Sequence, residues 1–188
     1  AMAEPSRRAA VDTHVHLASG WQEGRGGLSN AWVSDSSKGK VGGEGFNKEW
    51  DEQAFRSAIE ACNTVDVAEA IFVECFNRPS EAEAQWALAM VDDPKSVIRG
   101  VVAHIPVTEG AAAVESFLDS LKDKSGDLPS GLKGARCVFL GDPMPPADAC
   151  LAPQFKEGLQ ALAATGLHWE FCCQPRALPS MAAVCAEF

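Results

Sequence analysis

The sequence has no apolar run that approaches the roughly 18 residues needed to span a membrane. Its N-terminal segment contains Arg7 and Arg8 but lacks the apolar stretch of a secretory signal. The seven cysteines include no C-x-x-C pair, and several of them lie within apolar runs. These absences predict a cytoplasmic protein with no membrane partner, whose cysteines are reduced thiols in the core rather than disulfides or metal ligands.

Positive charge is also scarce. The chain has 16 Lys and Arg residues, which are scattered, against 26 Asp and Glu residues, for a formal charge of −10. A nucleic-acid partner requires clustered basic residues, so this class of partner is not expected. The 188 residues, 46% of them hydrophobic and 22% charged, are typical of a folded soluble protein and exclude disordered and collagen-like classes.

Apolar periodicity predicts helices and strands in regular alternation after residue 50. Before that, residues 19–50 hold eight of the 16 glycines and three of the five tryptophans without periodicity, which predicts a long loop that either covers a substrate or is an insertion. Ser80 and Glu83 form a capping-box pattern at the start of one helix. The predicted helices are 51–62, 80–90, 111–121, a segment around 155–163 and one around 181–185, and the predicted strands are 11–17, 70–75, 97–105, 132–140 and 167–172.

Alternating strands and helices indicate parallel strands joined by right-handed crossovers, and hence an α/β fold. A barrel is favoured over a doubly wound sheet because His14 and His16 end the first strand and no glycine-rich phosphate motif follows it. A closed barrel requires eight βα units, and about five are present. We therefore predict one domain over residues 1–188 that forms an incomplete (β/α)8 TIM barrel, ending before strands 6 to 8.

His14 and His16 are the strongest candidates for chemistry. Residues two apart in a strand share a face, so both imidazoles can reach one Zn²⁺ ion. A hydrogen-bonded pair at the end of a sheet is the alternative. Asp12 points to the opposite face, where it either orients an imidazole or accepts a hydrogen bond from a nearby backbone N–H.

Four further residues are candidates because their charged or imidazole side chains lie in or next to apolar strands. Glu74 follows an apolar strand and is a candidate general base, metal ligand or ion-pair partner. Arg136 suits a bidentate grip on a substrate carboxylate or carbonyl, or an internal ion pair with Glu74 or Glu170. His104 and Glu170 are weaker candidates for substrate contact, and for His104 a hydrogen-bonded position in the core is the alternative. His168 lies towards the N-terminal end of its strand, away from the active face of a barrel.

Five segments stand in a recognisable order along the chain: VDTHVHL (11–17), IFVE (71–74), RGVVA (99–103), LKGAR (132–136) and GLHWEF (166–171). In this order they resemble the amidohydrolase-related family (amidohydrolase family 2) of TIM-barrel hydrolases. The sequence is most similar to the branch that contains sugar-lactone and pyrone-dicarboxylate lactonases. The resemblance extends over nearly the whole chain.

The resemblance implies a site at the carboxyl ends of the strands, with His14 and His16 matching the first-strand histidines and Arg136 matching a residue that touches substrate. It also implies a histidine at the end of the sixth strand and an aspartate at the end of the eighth, and neither position falls within these residues. A fifth-strand histidine ligand of some relatives would fall near Cys172 and Cys173. Some relatives hold zinc or another divalent metal and others work without one, so both cases remain open.

We accordingly expect a hydrolase that opens a lactone or similar cyclic ester of a small carboxylated or sugar-derived substrate. His14 and His16 would polarise the carbonyl, directly or through a metal, and Arg136 would orient the substrate. One alternative is a non-catalytic barrel fragment that self-associates through open strand edges. Another is a family member that acts as a decarboxylase or an amide hydrolase.

Overall fold

The computed structural model describes residues 7–18, 28, 30, 50–140 and 145–188. Within these ranges, strands and α-helices alternate as the sequence predicts, and no helix there is long and apolar enough to cross a bilayer. Short 3₁₀ helices lie at Val107–Glu109, Ala149–Leu151 and Pro175–Ala177. The main elements are β1 (Arg8–Val15), α1 (Glu52–Ala61), β2 (Val65–Val73), α2 (Ser80–Asp92), β3 (Ile98–His104), α3 (Ala111–Leu121), β4 (Leu132–Phe139), α4 (Pro153–Ala163), β5 (His168–Cys173) and α5 (Leu178–Cys185).

The five strands form one sheet in the order β1-β2-β3-β4-β5, and the pairs β1/β2 and β4/β5 are parallel. This confirms the α/β prediction. Each strand neighbours the one before it in sequence, without the reversal of order that defines a doubly wound sheet. The order is that of consecutive units in a (β/α)8 barrel.

The chain divides into two compact units, Ala1–Val101 and Val102–Phe188, which we call the N-terminal and C-terminal units. The single domain over residues 1–188 stays a prediction. The predicted loop at residues 19–50 lies outside the described residues, except for Leu28, Asn30 and Trp50. Trp50 exchanges two backbone hydrogen bonds of 2.9 Å with Ala18, so the chain returns to the end of β1 before α1 begins.

In the N-terminal unit, a side chain caps the start of α1 but not the start of α2. Asp51 caps α1, its carboxylate accepting a hydrogen bond of 2.8 Å from the Ala54 N–H. The predicted capping box at α2 is wrong: Pro79 is the cap residue, and the Glu83 side chain turns to Cys75 instead. Strand β2 begins five residues earlier than predicted, because residues 65–69, all exposed or half-buried, pair with β1.

In the C-terminal unit, a row of aromatic side chains joins the sheet to α4. Phe139, Phe155, Trp169 and Phe171 follow one another edge to face, with ring centroids 5.5 to 6.0 Å apart. This row places the odd-numbered side chains of β4 and β5 on the helix-covered face. Even-numbered residues therefore share the opposite face.

All seven cysteines are free thiols, as predicted. Three of them are buried: Cys75, Cys137 and Cys150. Cys185 at the end of α5 is exposed, and for this residue the prediction of a core position was wrong. The apolar helical stripe that suggested it is carried by Met181 and Val184, which are buried.

Candidate functional site

His14 and His16 lie where β1 ends. His14 is in the strand, and His16 follows its last residue, Val15. The pairing of β1 with β2 is irregular here, because Asp12 pairs with Ala70 and Val15 with Phe72, so that β1 uses one residue more than β2. Such a bulge redirects side chains next to it. Both histidines are exposed to solvent.

The two imidazoles meet edge to face. Their ring centroids are 4.8 Å apart with an interplanar angle of 88°. Their Nε2 atoms are 3.2 Å apart and within hydrogen-bond distance, which is the arrangement that the sequence left open as the alternative to a metal site. Nδ1 of His16 lies 3.0 Å from the backbone oxygen of Val73. Because a carbonyl only accepts hydrogen bonds, this contact assigns the proton of neutral His16 to Nδ1 and leaves a lone pair on its Nε2.

This geometry fits two ligands of one metal ion. Zinc bound tetrahedrally at about 2.0–2.1 Å from nitrogen separates two ligand nitrogens by about 3.3 Å, close to the observed 3.2 Å. A backbone carbonyl that receives the other ring N–H is the usual second partner of a metal-bound histidine. In residues 7–18, 28, 30, 50–140 and 145–188, however, no group of three or more His, Cys, Asp or Glu side chains is placed to hold a metal.

Of the two roles that the sequence left open for Asp12, orienting an imidazole or accepting a hydrogen bond from a backbone N–H, the structure shows the second. Its carboxylate accepts a hydrogen bond of 3.0 Å from the His14 N–H. The bond spans two residues within the irregular part of β1 and holds the local backbone. Asp12 therefore supports His14 through the main chain.

Glu74 follows the last residue of β2 and is completely buried. Its Oε2 accepts a hydrogen bond of 3.1 Å from the Phe76 N–H. Phe76 has a φ of 59°, a left-handed conformation that costs a residue with a Cβ atom roughly 1–2 kcal/mol. The hydrogen bond that Glu74 accepts helps to hold this turn.

Glu83, which the sequence pattern assigned to a helix cap, organises the same turn. It is only 1% exposed, and its Oε1 accepts hydrogen bonds from the backbone N–H of Cys75 (2.9 Å) and of Asn77 (3.0 Å) and from the Asn77 amide (2.7 Å). Three successive N–H groups thus point at two carboxylates, those of Glu74 and Glu83, as in an anion-binding backbone nest. Burial raises the pKa of Glu83 to about 7, and the nearby Glu74 adds to the rise against these hydrogen bonds.

Two buried asparagines belong to this network, and one of them, Asn77, connects the turn to the segment after β1. Asn77 donates from its amide to the Leu17 carbonyl at 3.1 Å. Asn30 donates to the Cys75 carbonyl and, at 3.1 Å, to the Asn77 side-chain oxygen. Polar side chains of this kind are indistinguishable from surface loop residues in the sequence, so only their burial reveals the network.

The C-terminal unit carries a second polar group on β4 and β5. Arg136 is buried and pairs in register with Glu170 on the neighbouring strand, so their side chains lie on one face. His168 Nε2 is 3.4 Å from Glu170 Oε1. The His168 ring covers Gly134, where an added Cβ would lie 2.4 Å from its Nε2, so the glycine provides the space for this imidazole.

The predicted site residues therefore fall into two groups. Within the N-terminal unit, the structure brings His14 and His16 together next to the strand that leads to Glu74. Within the C-terminal unit, it places Arg136 beside Glu170, and His104 is the last residue of β3 and half-buried. Their roles in catalysis and substrate binding stay predictions.

No family model matches the sequence, and no curated protein matches it. Solved structures with a similar fold do exist. One is described as amidohydrolase 2 from Bifidobacterium longum subsp. infantis, with a TM-score of 0.56 and 18% identity over 96% of this chain and 57% of that one. Another is a probable 2-pyrone-4,6-dicarboxylic acid hydrolase from Acinetobacter baumannii with citric acid bound, with a TM-score of 0.58 and 16% identity over 95% of this chain and 54% of that one.

At these identities the likeness concerns the fold alone. The chain spans little more than half the length of either structure. Both are longer than this chain.

Proposed function

We propose that this protein is a hydrolase of the amidohydrolase-related type that opens a lactone or similar cyclic ester. The observation that carries the proposal is the 3.2 Å separation of the His14 and His16 Nε2 atoms, with the second nitrogen of His16 held by the Val73 carbonyl. The similar fold of two solved structures described as an amidohydrolase and a pyrone-dicarboxylate hydrolase supports it.

His14 and His16 would hold a divalent metal, zinc in the first instance. When bound, such an ion supplies Lewis acidity towards a carbonyl and lowers the pKa of water. The contribution of this chain is to present two neighbouring imidazoles and to fix the tautomer of His16 beforehand. Because the two imidazoles are solvent-exposed, an ion and a small substrate can reach them directly.

For Arg136 we propose a role in binding a substrate carboxylate. A guanidinium offers two parallel N–H donors that match a carboxylate. Glu170, its neighbour on β5, would fix the guanidinium plane. One of the two similar structures has citric acid bound. Citric acid is a tricarboxylic acid, which agrees with the substrate class that we propose here.

Glu74 is a weaker candidate for catalysis than the sequence suggested. A general base has to come within hydrogen-bond distance of the proton it removes. Glu74 is completely buried and bonded to Phe76, which favours a role in holding the turn.

Turnover assays on the purified protein test the proposal. Pyrone dicarboxylate and a set of sugar lactones are incubated with enzyme as prepared, after chelation, and after zinc is restored. We expect hydrolysis that is lost on chelation and in His16→Ala but kept in His168→Ala, the matched control on another strand. Absence of turnover on every lactone with zinc present would contradict the lactonase assignment.

A second candidate is a non-catalytic unit that associates with another chain. The outer strands of the described sheet are β1 and β5, and every residue of β5 is exposed or half-buried. An open edge of this kind is a template for pairing. Light scattering at several concentrations tests this candidate: a monomer throughout would contradict it, and reversible association without turnover would favour it.

A further inference from the structure

The histidine pair depends on a contact that lies beyond the paired part of the sheet. The last register pair of β1 and β2 is Val15 with Phe72, whereas the ring of His16 reaches the carbonyl of Val73. Backbone pairing therefore does not by itself hold these two residues at the right separation. Other contacts have to fix the two chain segments that leave the strands.

The polar network around Glu83 supplies those contacts on both sides. On the β2 side, Glu83 holds the N–H groups of Cys75 and Asn77, two and four residues beyond Val73. On the β1 side, the Asn77 amide holds the carbonyl of Leu17, the residue after His16. Oε1 of Glu83 is thus the common acceptor that fixes both the segment after β2, directly, and the segment after β1, through Asn77.

The chemistry of this oxygen makes it hard to replace. Cys75 N, Asn77 N and the Asn77 amide all donate to the same Glu83 oxygen, in a region where Glu83 and Asn77 are 1% and 0% exposed. Buried donors that lose their acceptor have to find another or bear the full cost of desolvation. Without Glu83, the turn at Cys75–Asn77 would rearrange and carry Val73 with it.

We infer that Glu83 is the positioning residue of the histidine pair: through the turn after β2 and through Asn77, it holds the Val73 carbonyl against His16 and so sets the tautomer of that imidazole. The inference concerns the site on which the proposed function rests. It assigns Glu83 no contact with metal or substrate.

The test is the tautomer of His16, observed in the metal-free protein from the ¹⁵N shifts of its ring nitrogens at a pH where imidazole is neutral. Wild type should show Nδ1–H. Glu83→Leu removes the acceptor at similar size, and we expect the ratio of tautomers to move towards Nε2–H by about fivefold or more, the equivalent of one ordinary hydrogen bond. Glu83→Gln keeps an acceptor oxygen and should restore the wild-type ratio.

Two controls keep the inference falsifiable. Glu81→Leu changes an exposed glutamate in the same helical turn and should leave the tautomer unchanged. If Glu83→Leu does not fold, Asn77→Ala carries the test, because it removes the link to Leu17 while Glu83 keeps its two backbone donors; a partial shift is expected. A folded Glu83→Leu or Asn77→Ala protein with the wild-type tautomer would overturn the inference.

This readout needs neither metal nor substrate. A tautomer shift in a protein that binds no zinc would therefore contradict the proposed function alone. An unchanged tautomer in a protein that does bind zinc would contradict only the role of Glu83.

Discussion

The molecule contains two pairs of polar side chains with the same spacing on strands, His14 with His16 and His168 with Glu170. In each pair two ring or carboxylate atoms approach closely, at 3.2 Å and 3.4 Å. The pairs differ in what surrounds them. The first stands at the carboxyl end of β1, and the second begins at the first residue of β5.

The difference between the pairs lies in how they are anchored. The His16 ring is held by a hydrogen bond to the Val73 carbonyl. The turn that follows Val73 is fixed by Glu83 and Asn77, which are both buried. The His168 ring rests on Gly134 and its side chain is half-exposed, with 50% of its surface accessible. The pair for which we propose a function is thus distinguished by the hydrogen bonds that support it, and spacing alone does not separate the two.

The largest effect that we expect is a dependence of stability on pH, caused by Glu83 in the buried network near the first pair. The pKa of Glu83, raised to about 7 in the folded protein, exceeds the value of an unfolded glutamate, so folding retains a proton between these values. The stabilising contribution of protonated Glu83 is complete at acidic pH below the unfolded pKa and is lost as the pH rises through 7, a change on the order of 3 kcal/mol.

Urea unfolding at pH 5, 6, 7 and 8 checks this prediction as the difference between wild type and Glu83→Gln, in which position 83 no longer titrates. The free energy of unfolding of wild type should fall relative to the variant as the pH rises. Parallel pH profiles for the two proteins would show that Glu83 titrates as it does in the unfolded chain. Glu81→Gln serves as the matched control.

A smaller effect is expected at the support of the second pair. In Gly134→Ala the new methyl group would lie within 2.6 Å of three atoms of the His168 ring, which forces the half-exposed ring aside at a cost of about 1 kcal/mol. In a His168→Ala background the clash is absent, and the same substitution should be neutral or stabilising because alanine suits a strand better than glycine. A double-mutant cycle by urea unfolding measures this coupling; equal costs in both backgrounds would contradict the contact.

The smallest effect should follow removal of the second pair itself. His168→Gln breaks an exposed contact with Glu170 at 3.4 Å, and exposed pairs of this kind contribute about 0–1 kcal/mol. Thermal unfolding should shift little. A loss as large as that of a buried network would mean that the two pairs are supported alike and that the comparison fails.

Several elements of the fold were predictable from the sequence because they bury an apolar stripe, as α3 and α4 do. The bounds of α3 agree with prediction, and those of β4 differ only at Leu140. Strand β2 was foreseen only in its buried half, because residues 65–69 show their strand character through pairing with β1. Local periodicity carries no information about a partner that lies more than fifty residues away.

The site was predictable only in part, for the same reason. The spacing of His14 and His16 identifies them as candidates, and so does the charge of Arg136 within an apolar strand. Glu83 was misassigned because a glutamate in the first turn of a helix is ordinarily a capping residue, and its actual partners, Cys75 and Asn77, become neighbours only when the chain turns after β2. Asn30 gave no signal at all within its glycine-rich surroundings.

The central claim is that the first pair, and not the second, is half of a metal site. Calorimetric titration of the metal-free protein with Zn²⁺ tests it most directly, in wild type, His14→Ala, His16→Ala and His168→Ala. We predict one ion per chain in wild type, an affinity at least about tenfold lower in each of the first two variants, and less than about twofold change in the third. Zinc binding that survives both His14→Ala and His16→Ala, or its absence from wild type, would contradict the account.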